Sequence, residues 1–129
     1  MILRDHTGVV IYAACRWIHN CLGTLEPELS ACEKGLNLAS HWTPLPIQVE
    51  TDCADILKAF SGSNGRSRNM FQVTVVSEML QERSMQITKI GRSQNKAAHA
   101  MAAMGRGQQC TAYWLENSPQ EISIVISND

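Results

Sequence analysis

The sequence lacks several features that would define a class of protein at once. It has no apolar run of the roughly 18 residues that a membrane-spanning helix needs. The N-terminus has no charged stretch followed by an apolar one, as a secretory leader would. No internal repeat is visible, which argues against a solenoid or a propeller. We therefore expect a soluble intracellular protein, cytoplasmic or nuclear, with no membrane partner.

Paired cysteines are also lacking. The five cysteines are an odd number and contain no C-x-x-C pair, so the sequence suggests neither a disulfide framework nor a zinc ribbon. The neighbouring His19 and Cys21 fit no standard zinc spacing. The cysteines are typical of small apolar core residues in a reducing compartment.

The chain has little net charge, since its formal charge is −1. The charge is nevertheless uneven along the chain: −3 over residues 1–61, +5 over residues 62–110 and −3 over residues 111–129. Such a distribution would keep metal-binding carboxylates apart from a surface that contacts phosphates. Unrelated solvated faces explain it equally well.

The first half of the 129-residue chain contains three predicted elements. Residues 1–16 read as a β-hairpin, with Gly8 closing the turn. A helix follows that Thr24 can cap, and it ends near Ser40. Its apolar residues recur at three- and four-residue spacing, which predicts one buried stripe of Leu29, Cys32, Leu36 and Ala39. Residues 47–51 then alternate as in a strand.

The second half alternates between helices and one strand. A helix after Asp52 carries Ile56, Leu57 and Phe60, and residues 61–69 form a polar loop. The next helix includes Phe71 and Leu80, although the β-branched run at 73–76 weakens that prediction. A strand over 85–90 precedes a helix over 94–104 that Ser93 can cap. This order predicts an α/β fold with a mixed sheet and helical layers.

Together, four segments resemble the ribonuclease H-like family over residues 2–104, most closely the group related to plant retroelement reverse transcriptases. They are, in chain order, the hairpin ILRDHTGVV (2–10), the helix PELSACEKGL (27–36), the strand end VETDC (49–53) and the helix NKAAHAMA (95–102). The resemblance implies a ribonuclease H-like mixed sheet flanked by helices, with the family's first central strand absent from this chain. It implies one domain over residues 1–109 and a C-terminal tail over 110–129.

The resemblance also implies a site. The family's four acidic residues hold two Mg²⁺ (or Mn²⁺) ions and cut the RNA strand of an RNA–DNA hybrid. Ions ~4 Å apart activate a water and stabilise the leaving oxygen. By position, Glu28 and Asp52 correspond to two of the carboxylates and His99 stands where the last aspartate would be. The first aspartate, which bridges both ions, has no counterpart here, so we expect weak metal binding and low or no turnover.

Nucleic-acid contacts are expected around one helix start. Arg92, Ser93, Asn95 and Lys96 surround a helix N-terminus, which is a natural anion site, so phosphate contact is plausible. The stretch 66–68 is a further candidate for contact with a nucleic-acid backbone. Surface solvation explains these charges equally well.

The site residues have simpler interpretations too. Glu28 could be a solvated first-turn acid, Asp52 an N-cap for the helix after it, and His99 a packed histidine. At the level of function, three hypotheses therefore stand. They are a ribonuclease H-type domain that binds RNA–DNA hybrid, a non-catalytic nucleic-acid-binding or interaction module, and a retroelement remnant without a selected role.

Overall fold

The structure is a computed structural model that describes residues 1–62 and 68–129. The chain forms two compact units. The split unit consists of residues 1–19 and 91–129, and the central unit of residues 20–90. Among the helices described, none is both long and apolar enough to cross a membrane. The domain boundary at residue 109 stays a prediction.

The split unit begins with the predicted hairpin. Strand β1 (Ile2–Arg4) pairs with β2 (Val10–Cys15) in antiparallel orientation, which confirms the prediction. The turn is closed by the carboxylate of Asp5, which accepts backbone N–H bonds from Thr7 at 2.8 Å and Val9 at 3.0 Å. Gly8 has a φ of +87°, a left-handed conformation that glycine adopts without steric cost.

A third strand and two helices complete the split unit. Strand β5 (Ala112–Leu115) pairs with the other edge of β2, so the strand order is β1-β2-β5. Helix α4 (Lys96–Gln108) packs on β2, and the short helix α5 (Ser123–Ser127) packs on α4. The core between them consists of buried apolar side chains: Ala13, Cys15, Ala97, Met101, Ile122 and Ile126.

The described residues of the central unit form two strands and three helices. They are α1 (Leu25–Trp42), β3 (Gln48–Thr51), α2 (Ala54–Phe60), α3 (Met70–Glu82) and β4 (Gln86–Lys89). Strands β3 and β4 are parallel and pair Val49 with Ile87. Helix α1 packs on α2 and α3, and a core cluster forms around Leu36, Val76 and Leu80.

Two details of the helices differ from the prediction. Helix α4 begins at Lys96 rather than at Gln94, because residues Arg92–Gln94 form a separate 3₁₀ turn. The prediction that Ser93 caps this helix is therefore wrong, since Asn95 is the N-cap residue. Helix α1 continues to Trp42, two residues beyond the predicted end.

The mixed α/β architecture is confirmed: residues 1–62 and 68–129 form antiparallel and parallel strands and five α-helices. Among the described strands, β1 pairs only with β2, and β3 pairs only with β4. The outer edge of β1 in one sheet and the outer edge of β3 in the other are therefore not paired with any strand of the described residues.

Candidate functional site

Glu28 lies in the first turn of α1 and is half-buried. Glu26 shares this turn, and its carboxylate accepts a hydrogen bond from the backbone N–H of Leu22 at 3.2 Å. Acidic residues are favourable there because the N-terminal end of a helix carries a partial positive charge. Position in the first turn is thus explained by helix electrostatics alone, and any chemical role depends on what surrounds Glu28.

Asp52 lies at the carboxyl end of β3, where open α/β sheets commonly place their chemistry. The strand ends at Thr51, whose hydroxyl accepts the N–H of Cys53 at 3.1 Å and whose carbonyl accepts the N–H of Ile90 at 2.9 Å. Helix α2 then begins at Ala54 with Cys53 as its N-cap residue. The interpretation of Asp52 as the N-cap of α2 is therefore wrong.

Cys32 lies near Glu28 and near Cys53, the residue that follows Asp52. It lies one helical turn after Glu28 on α1, and α1 packs against α2. Burial, and to a smaller extent the nearby Glu28 and Cys53, raises the pKa of the Cys32 thiol to about 12. Glu28 and Cys53, the residue that follows Asp52 in the chain, thus both lie near the Cys32 thiol.

The donor set suits a magnesium ion only in part. Among residues 1–62 and 68–129, no three His, Cys, Asp or Glu side chains are grouped as a metal site. Glu28 and Asp52 are hard oxygen donors, and Mg²⁺ is commonly bound through one or two carboxylates with water and phosphate completing its octahedron. Two carboxylates would therefore supply protein ligands for one such ion and too few for a pair of ions.

His99 lies on the first half of α4, in the split unit, and its side chain is exposed. Its backbone N–H donates to the carbonyl of Asn95 at 3.0 Å, which is an ordinary helical bond. The interpretation of His99 as a packed histidine is therefore wrong. An exposed neutral imidazole is available to a solvent water, an ion or a phosphate.

The basic segment, which we define as residues 92–96, precedes and starts the same helix. Arg92 and Ser93 lie in the 3₁₀ turn and are exposed, and Lys96 is the exposed first residue of α4. Asn95 is half-buried at the N-cap position. The side chains of Arg92, Ser93 and Lys96 are thus placed on a surface that a polyanion can reach.

Sequence reasoning missed the residue that occupies this helix N-terminus. The carboxylate of Asp129 accepts the backbone N–H of Lys96 at 3.0 Å and that of Ala97 at 3.1 Å. It also lies 3.4 Å from the guanidinium of Arg4, and its side chain is 8% exposed. Its one sequence signal was the acidic tail after residue 110. Since an internal carboxylate holds these two N–H groups, phosphate contact would fall to side chains of the basic segment.

The predicted site residues therefore divide between the two units. Glu28 and Asp52 belong to the central unit, whereas His99 and the basic segment belong to the split unit. Within the split unit, His99 lies one turn beyond Asn95 on α4. The stretch 66–68 is mostly outside the described residues, and Arg68, its described member, is exposed.

Comparison with known proteins identifies a family. Residues 1–105 match the family model described as reverse transcriptase-like. No curated protein and no solved structure matches the chain.

Proposed function

We propose a function from the premise that the chain belongs to the reverse transcriptase-like family. In this proposal the chain binds an RNA–DNA hybrid or a related nucleic acid and cleaves the RNA strand slowly. The family's ribonuclease H-like domain has a nucleic-acid-related, hydrolase-type function. The proposal concerns the substrate, the site residues and the degree of activity.

The observation that carries the proposal is that Glu28 and Cys53 both lie near the thiol of Cys32. Glu28 acts on this thiol from the preceding turn of α1, and Cys53 acts on it from the N-cap of α2, directly after Asp52. Asp52 precedes Cys53 directly in the chain, so a carboxylate from α1 and one from the end of β3 would share a cation if both side chains turn toward the same space. Convergence of Glu28 and Asp52 is the step that the experiments below must test.

Each proposed residue has a distinct task. Glu28 and Asp52 would hold one Mg²⁺ or Mn²⁺ ion by their carboxylate oxygens. When bound, the ion would polarise a phosphoryl oxygen and lower the pKa of a coordinated water. His99 would accept a hydrogen bond from a water or approach an anionic oxygen through its exposed imidazole, but it adds no negative charge to a cation site.

Slow turnover follows from the number of ligands. Two-metal phosphoryl transfer uses ions ~4 Å apart that stabilise both the attacking and the leaving oxygen. Two carboxylates do not supply enough anionic oxygens to hold two divalent cations at that separation. We therefore expect hybrid binding to survive better than hydrolysis.

Recognition of the hybrid needs no base-reading motif. A-form-like duplexes are recognised mainly through phosphates and 2′-hydroxyl groups across a shallow minor groove. Arg92, Ser93 and Lys96 supply charged and hydroxyl donors for such backbone contacts. Asn95, the N-cap residue of α4, would offer its side-chain amide to the same backbone.

The test uses a labelled RNA–DNA hybrid incubated with the full chain and either Mg²⁺ or Mn²⁺. We expect measurable binding and slow cleavage that Asp52→Asn and Glu28→Gln abolish. Asp55→Asn and Glu50→Gln are the matched controls, because both residues are exposed acids of the same unit. Cleavage that persists unchanged in Asp52→Asn would remove Asp52 from the site, and failure to bind any hybrid would end the proposal.

A second candidate function is a non-catalytic nucleic-acid-binding or interaction module. It is favoured by the finding that no three metal-ligating side chains are grouped within the part of the chain that the structure describes. In the same assay this candidate predicts hybrid binding without cleavage in either metal. It also predicts that Asp52→Asn leaves the affinity unchanged.

A further inference from the structure

Two cysteines that are far apart in sequence meet in the split unit. Cys15 is the last residue of β2, and its Sγ lies 3.9 Å from the carbonyl oxygen of Cys110. Cys15 is paired in the sheet with Ala112, two residues beyond Cys110. Burial raises the pKa of the Cys15 thiol, and direct interaction with the Cys110 thiol raises it further. Cys15 and Cys110 are therefore in contact in the folded chain.

The last turns of α4 hold this pair together. The backbone N–H of Cys110 donates to the carbonyl oxygen of Gly105 at 3.3 Å. A Cβ added to this same Gly105 would lie 3.0 Å from Cβ of Cys15. Both cysteines are thus packed against one glycine, and close packing leaves them little room to move apart.

We propose that Cys15 and Cys110 form a reversible intramolecular disulfide when the protein meets a hydroperoxide. Cys110 is half-exposed and meets the oxidant first, whereas Cys15 is 4% exposed and acts second. In the first step the Cys110 thiol reduces hydrogen peroxide to water and becomes a sulfenic acid. In the second step Cys15 attacks that sulfur, the S–S bond forms, and the hydroxyl leaves with the Cys15 proton as a second water.

The other neighbouring cysteines, Cys32 and Cys53, lie in the central unit. Cys32 is held as a neutral thiol by the raised pKa described above, so it reacts slowly with a peroxide. Cys21 lies in the central unit and has no cysteine among its sequence neighbours. The attack by Cys15 requires its thiolate, and since burial raises its pKa we expect ring closure to quicken as the pH rises.

The bridge would tie the end of β2 to the segment between α4 and β5. It would close a loop that spans the chain from residue 15 to residue 110, and long closed loops restrict the unfolded chain most. The oxidised form should therefore resist unfolding more than the reduced form. Excess thiol should reverse the change, since the bridge depends on the redox conditions.

The experiment treats the full chain with hydrogen peroxide and compares it before and after reduction with dithiothreitol. We expect the intact mass to fall by two hydrogen atoms and to recover on reduction. A tryptic digest without reductant should contain residues 5–16 linked to residues 107–129, since arginines end both flanking peptides. The melting temperature should rise by roughly 5 °C or more in the oxidised form.

Matched variants make the result specific. Cys110→Ser should lose the linked peptide and the thermal shift, Cys15→Ala should do the same, and Cys21→Ser should keep both. Three outcomes would overturn the proposal. They are oxidation of Cys110 to sulfinic or sulfonic acid without a bridge, a disulfide-linked dimer through Cys110, and a bridge between other cysteines while Cys15 stays free.

Discussion

The carboxylate of Asp129 holds the N-terminus of α4 by accepting the backbone N–H of Lys96 at 3.0 Å. Its second oxygen accepts the N–H of Ala97 at 3.1 Å and lies 3.4 Å from the guanidinium of Arg4. The first N–H groups of a helix have no partner within the helix, so a carboxylate from elsewhere satisfies them and interacts favourably with the helix dipole. Residues 33 positions apart in the chain thus share one capping interaction.

Replacing this carboxylate should weaken the split unit. Asp129→Asn keeps the shape of the side chain but removes its charge and one of its two acceptor oxygens, and Asp129→Ala removes both hydrogen bonds. We expect the free energy of unfolding to fall by about 0.5–1 kcal/mol for the first and about 1–2 kcal/mol for the second. Urea denaturation followed by circular dichroism measures both. Glu121→Gln, an exposed acid of the same tail, is the control, and a loss of equal size there would contradict the role of Asp129.

Two glycines of α4 should respond in opposite directions to alanine. A Cβ on Gly105 would lie 3.0 Å from Cβ of Cys15, so Gly105→Ala requires the two to separate by a few tenths of an ångström. Because Cys15 is buried in a central strand and its Cβ is fixed by the backbone, the substitution should cost about 1–3 kcal/mol. A Cβ on Gly107 would meet nothing within 4 Å. Gly107→Ala should therefore stabilise the helix by about 0.5–1 kcal/mol. Thermal melts of the two variants measure the contrast, and equal shifts would show that α4 is not held against Cys15.

How far the sequence predicted this fold depends on the range of the interactions. The hairpin was predictable because Asp5, Thr7 and Gly8 close its turn by local bonds. Helix α3 forms despite its β-branched run because Val76 and Leu80 are buried in the core of the central unit. The start of α4 was mispredicted because the group that caps it is Asp129, and no local pattern shows a partner so far along the chain.

The candidate site was predictable to a similar extent. The position of Asp52 followed from the rule that chemistry lies at strand ends, and the structure places Asp52 directly after β3. The role of Cys32 as a neighbour of both Glu28 and Cys53 was not predictable, because it depends on how α1 packs on α2. In the sequence the cysteines are typical only of small core residues. The proximity of Cys15 to Cys110 depends on how the chain folds.

Alkaline pH should destabilise the protein in a way that reports on Cys32. Its pKa is raised from 9.0 to about 12, so between these pH values the unfolded chain loses a proton that the folded chain keeps. Stability is therefore full below pH 9 and falls by about 1.4 kcal/mol per pH unit above it. Denaturation curves from pH 8 to 11 should show the slope, and Cys32→Ala should reduce it. Burial also raises the pKa of Tyr12, which keeps part of the slope in that variant.

The same thiol offers a test of the position of Glu28. Burial is the largest cause of the raised pKa of Cys32, and the carboxylate of Glu28 raises it further. Glu28→Gln should therefore lower this pKa in part and speed alkylation of Cys32 by iodoacetamide at pH 9. Glu50→Gln, an exposed acid on β3, should leave the rate unchanged. Alkylation is followed residue by residue by mass spectrometry. If Glu28→Gln left the rate at Cys32 unaltered, the two side chains would not be neighbours and the carboxylate pair would lose its main support.

Nucleic-acid binding should depend on side chains at the start of α4 more than on its backbone. The N–H groups of Lys96 and Ala97 already donate to Asp129, so a phosphate would meet the ammonium of Lys96 and the guanidinium of Arg92 instead. Each phosphate contact releases about one counterion, so Lys96→Ala should reduce the slope of log K against log salt by about 1.

Arg106→Ala is the matched control, because Arg106 is an exposed cation in the last turn of the same helix. Titration of a labelled hybrid at several salt concentrations should separate the two variants. Equal slopes in both would mean that α4 attracts the hybrid only through overall charge. A reduced slope in Lys96→Ala alone would locate the phosphate contact at the beginning of the helix, one turn before His99, and would place the imidazole within reach of the bound strand.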